Sequence, residues 1–123
     1  MLLRVQDKDG RGPFKPGFTK TWCEYNHNLP CIMTEFPDIA KDVIPYHKKG
    51  MHLGVGVRGG FDGLKKWFSE NELNKLQTLG YQVVTINDFD VVRESKNQVI
   101  FATKRPLRAF KEHSLPSNLT QEQ

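Results

Sequence analysis

An α+β fold is what this sequence predicts: a small mixed or antiparallel sheet of about five strands, a tandem helix pair and a long Gly/Pro-rich loop. Three observations carry the prediction. Five short runs have strand composition, two helix patterns follow one another between Phe61 and Gly80, and five of the seven prolines fall between residues 13 and 45.

Leu2 to Gln6 is a short apolar stretch that reads as the first strand, closed by the polar run DKDGRG. Arg4 lies inside it, and an arginine there either snorkels to the surface or lines a site. Residues 10 to 22, GRGPFKPGFTKTW, then combine three glycines, two prolines, three aromatic side chains and three cations. Glycine lets a backbone approach a ligand, proline stiffens the loop, and aromatic rings beside cations can stack on a base and meet a phosphate. A stiff loop packed by its own aromatics has the same composition. Neither a Walker loop nor a dinucleotide fingerprint is present.

From Cys23 to Gly50 periodicity is low, with a short helical turn expected at Pro37 to Val43; such a stretch is either functional or wraps the core. Cys23, His27 and Cys31 recur every four residues, with His47 and His52 further on. The spacing matches no common zinc ribbon or finger and Pro30 interrupts a helix that would present all three, so reduced thiols and no metal are expected.

Met51 to Arg58 alternates well enough for a strand, with Gly54 and Gly56 on the face opposite Leu53, Val55 and Val57; small residues on one face mark close approach by a ligand or a packed element. In the helix pair, Asp62 is the expected N-cap of a first helix whose Leu64, Trp67 and Phe68 share a face. Ser69 and Glu72 have the spacing of a capping box opening a second helix. Leu73, Leu76 and Leu79 form its apolar stripe and Gly80 its left-handed end. Burying these large side chains would contribute about 1.5 to 3 kcal/mol each. Tyr81 to Ile86, Val91 to Glu94 and Gln98 to Thr103 are the remaining strands, the last two joined as a hairpin over Ser95, Lys96 and Asn97.

The chain has 123 residues, 37% of them hydrophobic, and a net charge of +4, which suits one domain with a modest core. Residues 1 to 107 are expected to form a single globular domain and 108 to 123 a basic, then polar tail, disordered at its end. No apolar run is long enough to cross a membrane, and charges follow Leu3 at once where a secretory signal would continue apolar, so a cytoplasmic protein is expected.

The pieces RGPFKPGFTKTW, LKKWFSENELNKLQTLGY and NQVIF resemble small phage and prophage proteins of uncharacterised type, over Leu3 to Leu107. The order of elements is also similar to that of minimal ADP-ribosyltransferases. In that family an Arg or His on the first strand holds NAD, a middle strand carries a Ser/Thr or Tyr motif, and a late strand opens with the catalytic Glu. Arg4 matches the first position, and Gln98 falls where the Glu would be. Residues 51 to 58 offer His52 in place of a Ser-Thr-Ser motif. Gln98 lacks the charge that would stabilise an oxocarbenium-like transition state.

These resemblances imply a phage accessory protein acting on a host factor in the host cytoplasm, with NAD or a nucleotide as ligand. Arg4 would hold phosphate, Gly12, Phe14 and Phe18 would belong to a lid, and His52 with Gln98 would face the ribose. Two alternatives stand beside it. One is a non-enzymatic, anti-defence inhibitor of a host protein, anchored by Phe14, Phe18 and Trp22. The other is a nucleic-acid binder using Lys104, Arg105, Arg108 and Lys111. The helix pair is not expected to act as a DNA-reading helix-turn-helix, because Glu70 and Glu72 would occupy its exposed face.

Overall fold

The computed structural model describes residues 1–14, 18–23 and 29–113. In chain order the elements are β1 (Leu2–Gln6), α1 (Ile32–Glu35), α2 (Ile39–Lys48), β2 (His52–Gly56), α3 (Gly60–Leu64), α4 (Glu70–Thr78), β3 (Gln82–Ile86), β4 (Asp90–Glu94) and β5 (Val99–Thr103). Single 3-10 turns lie at Thr19–Thr21 and Leu107–Ala109. The α+β architecture of five strands is the one the sequence predicts, and every strand pair is antiparallel.

The strands divide into two small sheets, β1-β3 and β2-β5-β4. A single antiparallel bridge joins them, with Leu3 and Val57 exchanging both backbone hydrogen bonds at 3.0 and 2.9 Å. Side-chain alternation then distributes the core into three clusters. Leu2, Val84 and Ile86 of the first sheet meet Val99 and Phe101 of the second, together with Phe110. On the outer face of the first sheet, Leu3, Val5 and Val83 pack with Trp22, Leu64, Phe68, Leu73 and Leu76. On the outer face of the second, Val55, Val92 and Ile100 pack with Phe36, Ile39 and Val43. Two sheets thus lie face to face, with helices on both outer sides.

Gly54 and Gly56 face the inner layer, and the cause is packing between the sheets. A Cβ on Gly54 would meet the Phe101 ring at 2.8 Å, and one on Gly56 would lie 3.1 Å from both Leu2 Cβ and the Leu3 carbonyl oxygen.

Several local expectations change. Asp62 is not an N-cap: Gly59 and Gly60, at φ 87° and 61°, turn the chain out of the second sheet, so α3 begins earlier and Asp62 sits in its first turn. The Ser69–Glu72 capping box is present in full, Glu72 N donating to Ser69 Oγ at 3.1 Å and Ser69 N to Glu72 Oε1 at 2.9 Å. Glu72 is fully buried rather than exposed, because its carboxylate turns back onto that backbone N–H. Leu79 is 46% exposed, lying at the C-cap past the last turn of the stripe.

The turn expected at Pro37 to Val43 is instead the ten-residue helix α2, which runs through Pro45. Pro45 has no N–H to donate to the Lys41 carbonyl, and both residues are exposed. The tertiary fold also continues past residue 107. Phe110 is buried, Glu112 forms an isolated bridge with Val84, and His113 N donates to the Val83 carbonyl at 2.8 Å. The expectation for the final ten residues falls outside the described ones.

Candidate functional site

Beyond the Leu3–Val57 bridge, β1 and β2 part instead of continuing their ladder, and a cleft of about 850 Å³ opens at the split. Its walls are mostly apolar: Leu3, Val5, Val55, Val57, Leu64 and Phe68 form the inner part, and Phe14, Ile32, Met33 and Trp67 the outer. Phe14 and Met33 are 55% and 62% exposed. Phe14 is held edge-on against Trp22 and tilted against Phe68, with ring centroids 5.3 and 5.6 Å apart. Trp67 is steered by its indole N–H, which donates to the Asn97 carbonyl at 3.0 Å.

Arg4 lies on the inter-sheet face of β1 and reaches into the split. It donates to the Val55 carbonyl, the Gly10 carbonyl and Gln6 Oε1, each at 3.0 Å. Val55 O points to the β2 edge that β1 has left, so the guanidinium takes the place of a missing strand partner. Burial pulls the Arg4 pKa down to about 10, with the Asp7 carboxylate working against the fall. Gly12 covers the guanidinium closely, a Cβ there lying 3.8 Å from Nη2.

At the other end of the cleft Gln98 is buried and its amide is committed, donating to Glu35 Oε1 at 2.7 Å and to the Pro30 carbonyl at 3.2 Å. Asn97 Nδ2 donates to the second Glu35 oxygen at 3.0 Å. The Gln98 amide, ahead of Ser95 and Asn97, holds Glu35 below its ordinary pKa against the cost of desolvation. These bonds clamp α1, which carries Ile32 and Met33, to the β4–β5 turn. Cys31 lines the cleft with an exposed thiol 3.2 Å from Thr34 Oγ1, and this contact lowers its pKa.

Four of the residues singled out from sequence, Arg4, Gly12, Phe14 and Gln98, therefore line one cleft. His52 and Phe18 do not. His52 pairs with Thr103 at the opposite end of β5 from Gln98, about 17 Å away at strand rise, and is exposed. Phe18 stacks on Tyr81 at 5.6 Å. Trp22 is 1% exposed and bonded to the Pro13 carbonyl, which makes it core and not a presented anchor. Lys104, Arg105, Arg108 and Lys111 lie on the segment after β5, with Arg105 donating to the Ala109 carbonyl and covering the Phe110 ring. His27, like Lys15, Pro16 and Gly17 of the loop, is outside the described residues. Among the described residues no group of three His, Cys, Asp or Glu side chains is placed to hold a metal, and no helix is long and apolar enough to cross a membrane.

Met33, Glu35 and Val55 were not singled out from sequence. A four-residue helix leaves no periodicity to find, and a strand valine carries no sign of which carbonyl will lose its partner.

Fold and site together define a small two-sheet α+β domain with an apolar cleft at the junction of its sheets. A family model described as Bacteriophage T4 Y00F protein matches residues 1–114, and the chain belongs to that family; it is a phage protein. Neither a curated protein nor a solved structure matches it.

Proposed function

We propose that this phage accessory protein acts on a host factor by non-enzymatic contact, receiving apolar side chains of a host protein in the cleft between its sheets. The observation that supports this reading is the pairing of an apolar cleft with two exposed large hydrophobic side chains, Phe14 and Met33, at its rim. Exposed apolar surface beside a pocket suits an interface, and methionine adapts to varied partners. Among the described residues Arg4 and Arg11 line the cleft and no carboxylate does, which favours a host segment with an acidic residue beside its apolar anchor.

Anilinonaphthalene sulfonate, an apolar probe with one anionic group, tests the cleft directly. Saturable fluorescence enhancement that is lost in Met33→Asp, with unchanged denaturation, supports the reading. Equal enhancement in wild type and variant sinks it. Retention of a host protein by the wild type and not by Met33→Asp would then identify the factor.

A second reading, an ADP-ribosyltransferase-like domain that binds NAD or a nucleotide, draws on the convergence of Arg4, Gly12, Phe14 and Gln98. Against it, three N–H groups of Arg4 and the Gln98 amide are engaged by the chain itself. Calorimetric titration with NAD and with ADP-ribose decides: saturable heat supports it, and none at millimolar ligand removes it.

A further inference from the structure

We infer that the protein carries a second binding surface, adjoining the cleft at Arg11, for the phosphate backbone of nucleic acid. The surface is assembled from two segments at opposite ends of the chain, residues 7–11 and 104–112. Gly10, at φ 87°, seats on Leu107 and Arg108 so closely that a Cβ would lie 2.9 Å from Leu107 Cβ and 3.0 Å from Arg108 N. Gln6 Nε2 fixes the same contact from beneath, donating to the Leu107 carbonyl at 2.7 Å. The two segments together hold six cations and three carboxylates, a net +3 out of the +4 of the whole chain.

The cations are available. Lys8, Arg11, Lys104, Arg108 and Lys111 are all exposed, and none is in an ion pair among the described residues. Three of the cations outside these segments, Lys41, Arg58 and Arg93, are instead paired, with Asp38, Glu94 and Asp42. Asp7 directs a carboxylate oxygen to the backbone N–H groups of Asp9 and Arg11, each at 2.9 Å, which fixes the turn presenting Lys8 and Arg11. Asp9 and Glu112 are the exposed acids of the patch.

Nucleic acid fits this surface better than an acidic protein does. A stable protein interface needs an apolar or aromatic anchor, and none of the exposed large hydrophobics lies in either segment. A phosphate backbone requires cations alone and carries no sequence preference.

The test is fluorescence anisotropy of the full chain with a labelled DNA duplex of arbitrary sequence, repeated over a salt series. Binding should weaken linearly in log–log form. Arg108→Gln and Lys111→Gln should each flatten the slope by about 0.9. Lys41→Gln, a paired cation on α2, should leave it unchanged. Both patch residues are exposed, and circular dichroism checks that each variant folds. Arg11 is left intact because it also lines the cleft. No binding at low salt overturns the inference, as does a slope indifferent to the patch variants or moved equally by Lys41→Gln. Competition by polyglutamate as strong, per charge, as by unlabelled DNA overturns the assignment to nucleic acid.

Discussion

Arg4 Nη1 donates to the carbonyl oxygen of Val55 at 3.0 Å, across the gap where β1 and β2 separate. A side chain here does what the next rung of a ladder would have done, and so permits the split that forms the cleft. The guanidinium also holds Gly10 O, linking the split to the turn beneath the basic surface.

If Arg4 is structural in this way, Arg4→Ala leaves two backbone carbonyls without their donor and should cost on the order of 2 kcal/mol in denaturant unfolding. Arg4→Lys should recover only part of this, since one ammonium cannot span three separated acceptors in the geometry of a planar fork. Stability equal to wild type in Arg4→Ala would mean that the residue serves a ligand alone.

Glu35 makes the cleft rim sensitive to acid. Its folded pKa is depressed, so the stability it contributes is present above the unfolded value and is lost as pH falls through the folded one. The denaturant midpoint of the wild type should therefore drop as pH goes below about 4, and Glu35→Gln should flatten that part of the profile. Identical acid profiles for the two proteins would separate Glu35 from the clamp.

Ser69→Ala removes the side-chain half of the capping box and should destabilise by about 1 kcal/mol. Thermal and denaturant unfolding both read this. Leu79→Ala, at an exposed position, should cost well under that.

Gly63 is the tightest backbone position in the helix pair: a Cβ there would overlap the Arg58 carbonyl oxygen. Gly63→Ala should destabilise by roughly 3 kcal/mol or prevent folding, while Gly80→Ala, with open space around it, should show only the milder strain of its φ of 92°. Expression yield and unfolding midpoint of the two variants give the comparison.

How much of this was legible in the sequence differs by element. The five strands and the Ser69–Glu72 box were, because alternation and capping are short-range signals that survive without knowledge of the partner. The run of α2 through Pro45 was not, since proline reads as a break unless the face it occupies is known to be wet. The exposure assigned to Glu72 failed for a related reason: a carboxylate reads as surface until its backbone partner is seen.

The candidate site divides in the same way. The reading of loop composition together with the resemblance to ADP-ribosyltransferases drew attention to Arg4, Gly12, Phe14 and Gln98, and these share the cleft. It equally drew attention to His52, Phe18 and Trp22, which register, stacking and burial place elsewhere. Nothing local distinguishes the two groups.

By itself the sequence determined the α+β class, the places of the five strands along the chain and the start of α4, because each rests on interactions spanning a few residues. Only the tertiary structure decided where β1 and β2 part, that Arg4 fills the break, and that the turn at Gly10 lies against Leu107. These depend on contacts between residues some fifty to a hundred positions apart, and such contacts are set by the simultaneous packing of two sheets, which no short window of sequence contains.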